Sequence, residues 1–182
     1  MRKHELKAAL RAAARLTGEH EFFIIGSQAL HAVCSRPPAE VLVSQECDLY
    51  PRTRPETAGL LDRELGRNSA FARKHGFYVD VVTPEIASLP EGWESRMKPF
   101  CVGRVTASCL DIHDLLASKL AAGRLKDLEL VGAVLKLRLV RLRVLRARLS
   151  KLGPASATEQ ALLSLKAVLR EMTRKQGAGK LR

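Results

Sequence analysis

Aromatic side chains are scarce in this chain: five Phe, two Tyr and a single Trp among 182 residues. Its core must therefore rest on Leu, Val, Ile and Ala, and 46% apolar content is ordinary for a globular domain. No uncharged apolar run reaches transmembrane length, and Met1-Arg2-Lys3-His4 leads into an amphipathic pattern rather than an apolar signal region. The expectation is a soluble, cytoplasmic protein with no membrane partner. Cys34, Cys47, Cys101 and Cys109 form no C-x-x-C pair and have no His at zinc-finger spacing. A disulfide framework does not suit a chain of this size and compartment, so Cys47, inside a strand pattern, reads as a small core residue. Acidic residues are also short, 19 against 31 Lys and Arg, leaving a net charge of +12. That surplus points to a polyanionic partner, nucleic acid or a phosphate-rich substrate, although basic surfaces also serve solubility.

The length suits one compact α/β unit with a helical extension. Residues 3–16 place Leu6, Leu10, Ala13 and Ala14 on one helical face, and Thr17-Gly18 ends the helix. Glu21 to Ile25 is a strand that stops at Gly26-Ser27, after which Gln28 to Val33 has helical composition. Val41 to Tyr50 alternates as a strand, with Glu46, Asp48 and Tyr50 on one face and Gln45, Cys47 and Leu49 on the other. A short helix is predicted over 56–67, a strand over 77–82, and one or two strands over 96–110. Asp111 reads as an N-cap for a helix to Ala122. Past Gly123 a long helix is predicted, running through 135–149 because no turn signal interrupts it, although its basic residues leave two apolar stripes. Gly153-Pro154 is a break, and Ser156-Ala157-Thr158-Glu159 reads as a capping box for a final helix to about Lys175. This gives an α/β core over 1–110, a helical portion over 111–176 packed on it, and a flexible tail over 177–182.

Glu46 and Asp48 leave the same strand face, where two carboxylates repel unless a divalent cation bridges them. Asp80 sits on an apolar strand, where an unpaired buried carboxylate is expensive. Three carboxylates on neighbouring strands suit two-metal phosphoryl transfer. Gly26-Ser27, at a strand end, presents backbone N–H groups and a hydroxyl to a phosphate. Lys119 and Arg124 flank the Gly123 break, with Asp127 beyond. They either neutralise a triphosphate or form a solvated basic surface with a structural Arg–Asp pair. His31 and His113 read as surface or capping residues, and Trp93 as a plug holding its Pro/Gly loop to the core.

Three segments in this order resemble the nucleotidyltransferase superfamily that includes DNA polymerase β: Ile25-Gly26-Ser27-Gln28-Ala29-Leu30, Ser44-Gln45-Glu46-Cys47-Asp48-Leu49-Tyr50-Pro51, and Gly76-Phe77-Tyr78-Val79-Asp80-Val81-Val82. The loop Leu89-Pro90-Glu91-Gly92-Trp93 and the run Asp114 to Asp127 carry the likeness further, toward AbiEii-type proteins of bacterial toxin–antitoxin systems and their relatives. The likeness covers roughly residues 5–135, and the basic C-terminal part matches nothing named. It implies a minimal nucleotidyltransferase fold, a short mixed β-sheet flanked by helices with a helical C-terminal portion. It implies Mg²⁺ or Mn²⁺ on Glu46, Asp48 and Asp80. Gly26, Ser27, Lys119, Arg124 and Asp127 would bind the nucleotide, with Lys119 also catalytic. An NTP would be the substrate, RNA or tRNA the acceptor, and an antitoxin protein a partner. The metal pair begins with Glu rather than the commoner Asp, and the third acidic position varies among relatives, so Asp80 is either catalytic or structural. A non-catalytic RNA-binding or toxin–antitoxin module, or an antibiotic-modifying nucleotidyltransferase, is the alternative.

Overall fold

The computed structural model describes residues 1–179, with side chains through Lys175; of the tail expected over 177–182, residues 180–182 lie outside the described residues. Helix α1 (Lys3–Thr17) buries Leu6, Ala9, Leu10, Ala13 and Thr17 at i, i+3, i+4 spacing. It stops at Gly18, whose φ of 69° lets its N–H reach the Ala14 carbonyl at 2.9 Å. The chain then enters β1 (Glu21–Ile24), the middle strand of a five-stranded mixed sheet. The order is β3-β2-β1-β5-β4, with β2 (Glu46–Pro51), β3 (Tyr78–Val81), β4 (Lys98–Val102) and β5 (Val105–Cys109). β1 runs antiparallel to β2 and parallel to β5, while β2 and β3 are parallel. Cys47, Leu49, Val79, Phe22 and Ile24 are fully buried, and helices α1 and α3 (Ala58–Leu65) pack on the sheet. Ala107 and Cys109 on β5 are fully buried as well. All four cysteines are free.

Several elements differ from the sequence expectation. The strand predicted from Val41 begins only at Glu46, because Ala39–Val43 forms a helical turn, α2, after Pro38. Val41 is buried there, and the carbonyls of Val41 and Leu42 accept hydrogen bonds from the Met1 ammonium, each at 2.7 Å; the Ser44 carbonyl accepts a third. A cation at a helix C-terminus satisfies carbonyls that a strand would have paired laterally. His31 is buried, with Nε2 3.1 Å from the Met1 carbonyl, and is not the surface residue expected. Residues 27–32 form a 3₁₀ helix rather than an α-helix. A short helix, α4 (Ala70–His75), capped by the Ser69 hydroxyl, escaped the sequence reading.

The helical half is organised around α5 (Ile112–Ala122), whose N-cap Asp111 accepts the His113 N–H at 2.9 Å. It packs against α6 (Leu125–Lys136), α7 (Leu142–Leu149) and α8 (Ala155–Gly179). The continuous helix predicted through 135–149 is broken between α6 and α7, where Arg138 takes a positive φ of 58°. Leu130, Val131 and Val134 are buried on α6, and Leu145 and Leu149 on α7. His113 Nε2 accepts the Arg141 N–H at 3.1 Å and fixes the new start. The final helix begins at Ala155, so Ser156 lies in its first turn and the expected capping box is not used.

Candidate functional site

The site begins where β1 ends. Ile25 donates its N–H to the Asp48 carbonyl at 3.0 Å, which holds the Gly26 turn against β2. Gly26 has an ordinary extended conformation, so its need for glycine is spatial. A Cβ there would lie 1.4 Å from Asp48 Oδ2 and 2.3 Å from its Cγ. The Asp48 carboxylate occupies the space that any other residue at 26 would fill. Asp48 is also the direct cross-strand partner of Asp80, and Glu46 stands two residues back on the same face, opposite Tyr78. The shared face expected from alternation is therefore present.

Cations reach this face from the helices. Lys119 on α5 and Asp127 on α6 form a 3.2 Å ion pair across the Gly123 turn, whose φ is 63°. Asp127 is buried, and its second oxygen has no partner among the described residues. Of the two cations that Asp127 could orient, it pairs with Lys119 rather than forming the alternative Arg–Asp pair, while Arg124 stays exposed on the cavity wall. Lys126 Nζ lies 3.2 Å from Glu46 Oε1, and the Tyr78 hydroxyl donates to Glu46 Oε2 at 3.3 Å. Arg67 donates to that hydroxyl at 2.6 Å and lies over the Tyr78 ring. A cavity of about 410 Å³ brings Gly26, Asp48 and Asp80 together with Lys119, Arg124 and Asp127. An adjoining cavity of about 320 Å³ contains Ser27 and shares Glu46, Lys119, Lys126 and Asp127 as its boundary. Lys126, Tyr78 and Arg67 were not singled out by sequence. Lys126 adjoins Asp127, but the contacts of Tyr78 and Arg67 appear only once β3 is placed beside β2.

The electrostatics follow from this packing. Burial pushes the Asp48 carboxyl up to about 6, and the negative charges of Glu46 and Asp80 add to it against the pull of Lys119. Asp80 is raised by burial and by Glu46. Glu46 moves the other way: burial opposes ionisation, but the hydrogen bond and charge of Lys126 carry its carboxyl below the usual range. Among the described residues no group of three or more His, Cys, Asp or Glu side chains is arranged to hold a metal ion. Glu46 is engaged by Lys126 and Tyr78, and Asp48 and Asp80 stand side by side across the β2–β3 ladder with no ion pair to either among the described residues. Their hard oxygen donors, one half-buried and held up by like charge, suit a hard divalent cation. Away from this site, Trp93 meets Phe23 edge-on at 5.5 Å, the loop plug expected.

A short mixed sheet presenting paired carboxylates beside a Gly-Ser turn, faced by basic helices, defines a nucleotidyltransferase-type α/β protein. The family model described as "Nucleotidyltransferase of unknown function (DUF6036)" matches residues 4–166, and the chain belongs to that family. No curated protein and no solved structure shows significant similarity to it. Among the described residues, no helix is long and apolar enough to cross a membrane.

Proposed function

We propose that the protein transfers a nucleoside monophosphate from an NTP to an acceptor hydroxyl, with release of pyrophosphate. The observation that carries this reading is the Asp48–Asp80 pair, seated against Gly26 and sharing one cavity with Lys119 and Arg124. Glu46, Asp48 and Asp80 would hold Mg²⁺ or Mn²⁺, which when bound offsets the charge that develops on the phosphate oxygens. The Gly26 and Ser27 turn offers N–H groups and a hydroxyl to the phosphates, and Lys119, oriented by Asp127, neutralises them. The acceptor oxygen attacks the α-phosphorus, the bond to the bridging oxygen breaks, and Asp80 takes the acceptor proton. A net charge of +12 favours a polyanionic acceptor, RNA or tRNA, over a cationic drug. The likeness to AbiEii-type proteins extends the reading to a toxin with a cognate antitoxin.

One observation favours a second reading. Glu46 is held by Lys126, and this contact suits a non-catalytic RNA-binding module that keeps the fold. The two separate in one experiment, Mg²⁺-dependent label transfer from each α-³²P-NTP to total tRNA. Asp48→Ala abolishes transfer in the folded protein on the first reading. Transfer that survives the substitution removes Asp48 from catalysis. Absent transfer, with salt-sensitive RNA binding indifferent to Mg²⁺, supports the module.

A further inference from the structure

A second concave surface lies on the helical half and shares no lining residue with the carboxylate cavity. Its volume is about 700 Å³. Along its floor run Leu162, Leu165 and Leu169, at the i, i+3, i+7 spacing of a seam one helix wide. Arg146 of α7 stands on one side, and Lys166 and Arg170 of α8 stand on the other, one helical turn apart. Arg174 continues that row, although it also pairs with Glu171 at 3.0 Å. Among the described residues no acidic side chain lines the groove. It runs on past Leu162 and Lys166 into a shallower depression of about 560 Å³ that reaches Gly153 and Leu163 and carries one acid, Glu159. Leu162 is 47% exposed and Leu163 is 58% exposed, a degree of apolar exposure that two adjacent leucines in a basic region do not need for solubility.

The occupant is constrained from two directions. Unbalanced positive charge on both rims asks for negative charge on both flanks of whatever lies between them. A polynucleotide meets that demand but not the floor: no aromatic side chain lines the groove for base stacking, and leucine offers a phosphate backbone nothing. A helix with leucine-like residues along one stripe and Asp or Glu beside it meets both. From Ala155 to Arg174 the α8 wall extends roughly 29 Å at 1.5 Å per residue, enough for about five turns of a docked helix. We propose that the α7–α8 groove docks an acidic amphipathic helix of a partner protein.

The test uses the full chain and a fluorescein-labelled synthetic helix of about 20 residues, matched to the groove by its rise. The peptide has Leu at i, i+3, i+7 spacing flanked by Glu, and binding is read by fluorescence anisotropy. Saturable binding is expected to weaken at least about tenfold in Lys166→Glu/Arg170→Glu and to fall with added salt. Leu162→Ser, which leaves every rim charge in place, is expected to weaken it as well. All three positions are solvent-accessible, and circular dichroism checks that the variants fold. No binding, equal binding of the same peptide with Lys in place of Glu, or insensitivity to Leu162→Ser overturns the proposal. So does a single-stranded RNA oligomer that binds more tightly than the peptide and loses affinity in the charge-reversed variant alone, because the groove is then a nucleic-acid surface.

Discussion

Replacing Gly26 with alanine isolates one contact, the approach of the β1 turn to the Asp48 carboxylate. The Gly26 backbone has φ −93° and ψ −164°, which alanine adopts without strain, so the effect is steric. The new methyl would stand 1.4 Å from Oδ2 and 2.8 Å from the Asp48 Cβ. Normal contact requires the carboxylate to move by about 2 Å, given that carbon–oxygen approaches settle near 3.4–4 Å and the turn yields part of the difference. Asp48 lies on β2, held between β1 and β3, so the relief must come from its side-chain torsions or from opening of the turn. Over-packing of this kind costs about 2 kcal/mol, or roughly 4–8 °C in Tm for a chain of this length. The functional effect is larger, because a misplacement of about 1 Å at a reacting centre costs on the order of 100-fold in rate. Differential scanning fluorimetry and label transfer from α-³²P-NTP measure the two effects separately. Gly59→Ala is the control: a Cβ there meets nothing within 4 Å, and as a helical position it should gain about 0.5–1 kcal/mol. Transfer and melting at wild-type levels in Gly26→Ala would refute the close approach.

Two other substitutions probe the charges that hold the fold and the site. Glu19 is buried and accepts the N–H groups of His20, Glu21, Thr53 and Arg54 together with the Thr53 hydroxyl. Glu19→Gln, which turns an N–H₂ toward some of those donors, should cost about 3 kcal/mol in urea unfolding. These hydrogen bonds hold the Glu19 carboxyl below its ordinary 4.5 despite burial. Its contribution is therefore complete above that value in the unfolded chain and is lost as pH falls toward the depressed folded value. Wild type should lose stability more steeply than Glu19→Gln below about pH 4.5, and parallel curves would count against this account. Lys126→Met removes the cation from Glu46, so Mn²⁺ affinity measured by electron paramagnetic resonance without nucleotide should rise several-fold; an unchanged affinity shows that Lys126 does not compete for that carboxylate.

Reading the sequence located the strand-borne half of the site because strand geometry is local. Alternation alone places Glu46 and Asp48 on one face, and the β2–β3 register then sets Asp48 beside Asp80. The Gly123 break was legible for the same reason, since a left-handed residue after α5 writes itself as glycine. What local pattern could not supply was the neighbour of each charge. From sequence Asp127 could orient either Lys119 or Arg124, and tertiary packing gives it Lys119 from the preceding helix. Val41 to Val43 has strand composition, yet this segment forms a helical turn after Pro38 that buries Val41. The break after α6 carries no Gly or Pro, so no local turn signal marked it.

That break matters for the site as well as for the fold. Turning the chain at residues 137–141 brings Arg148 of α7 back to Asp114 at the start of α5, where Arg96 also meets the same fully buried carboxylate at 2.8 Å. Burial raises the Asp114 carboxyl above its ordinary value, and Arg96 and, more weakly, Arg148 pull against that rise. They tie α7 and the Trp93–Arg96 turn to the N-terminal end of α5, while α8 packs along the same helix. Helix α5 is thus clamped from three sides, and Lys119 leaves its last turn toward the carboxylates. A lysine chain can wander by several ångströms, so its value as a phosphate ligand depends on how little its helix can. Helices α7 and α8, which the sequence resemblance did not reach, thus help hold the cationic side of the cavity in place.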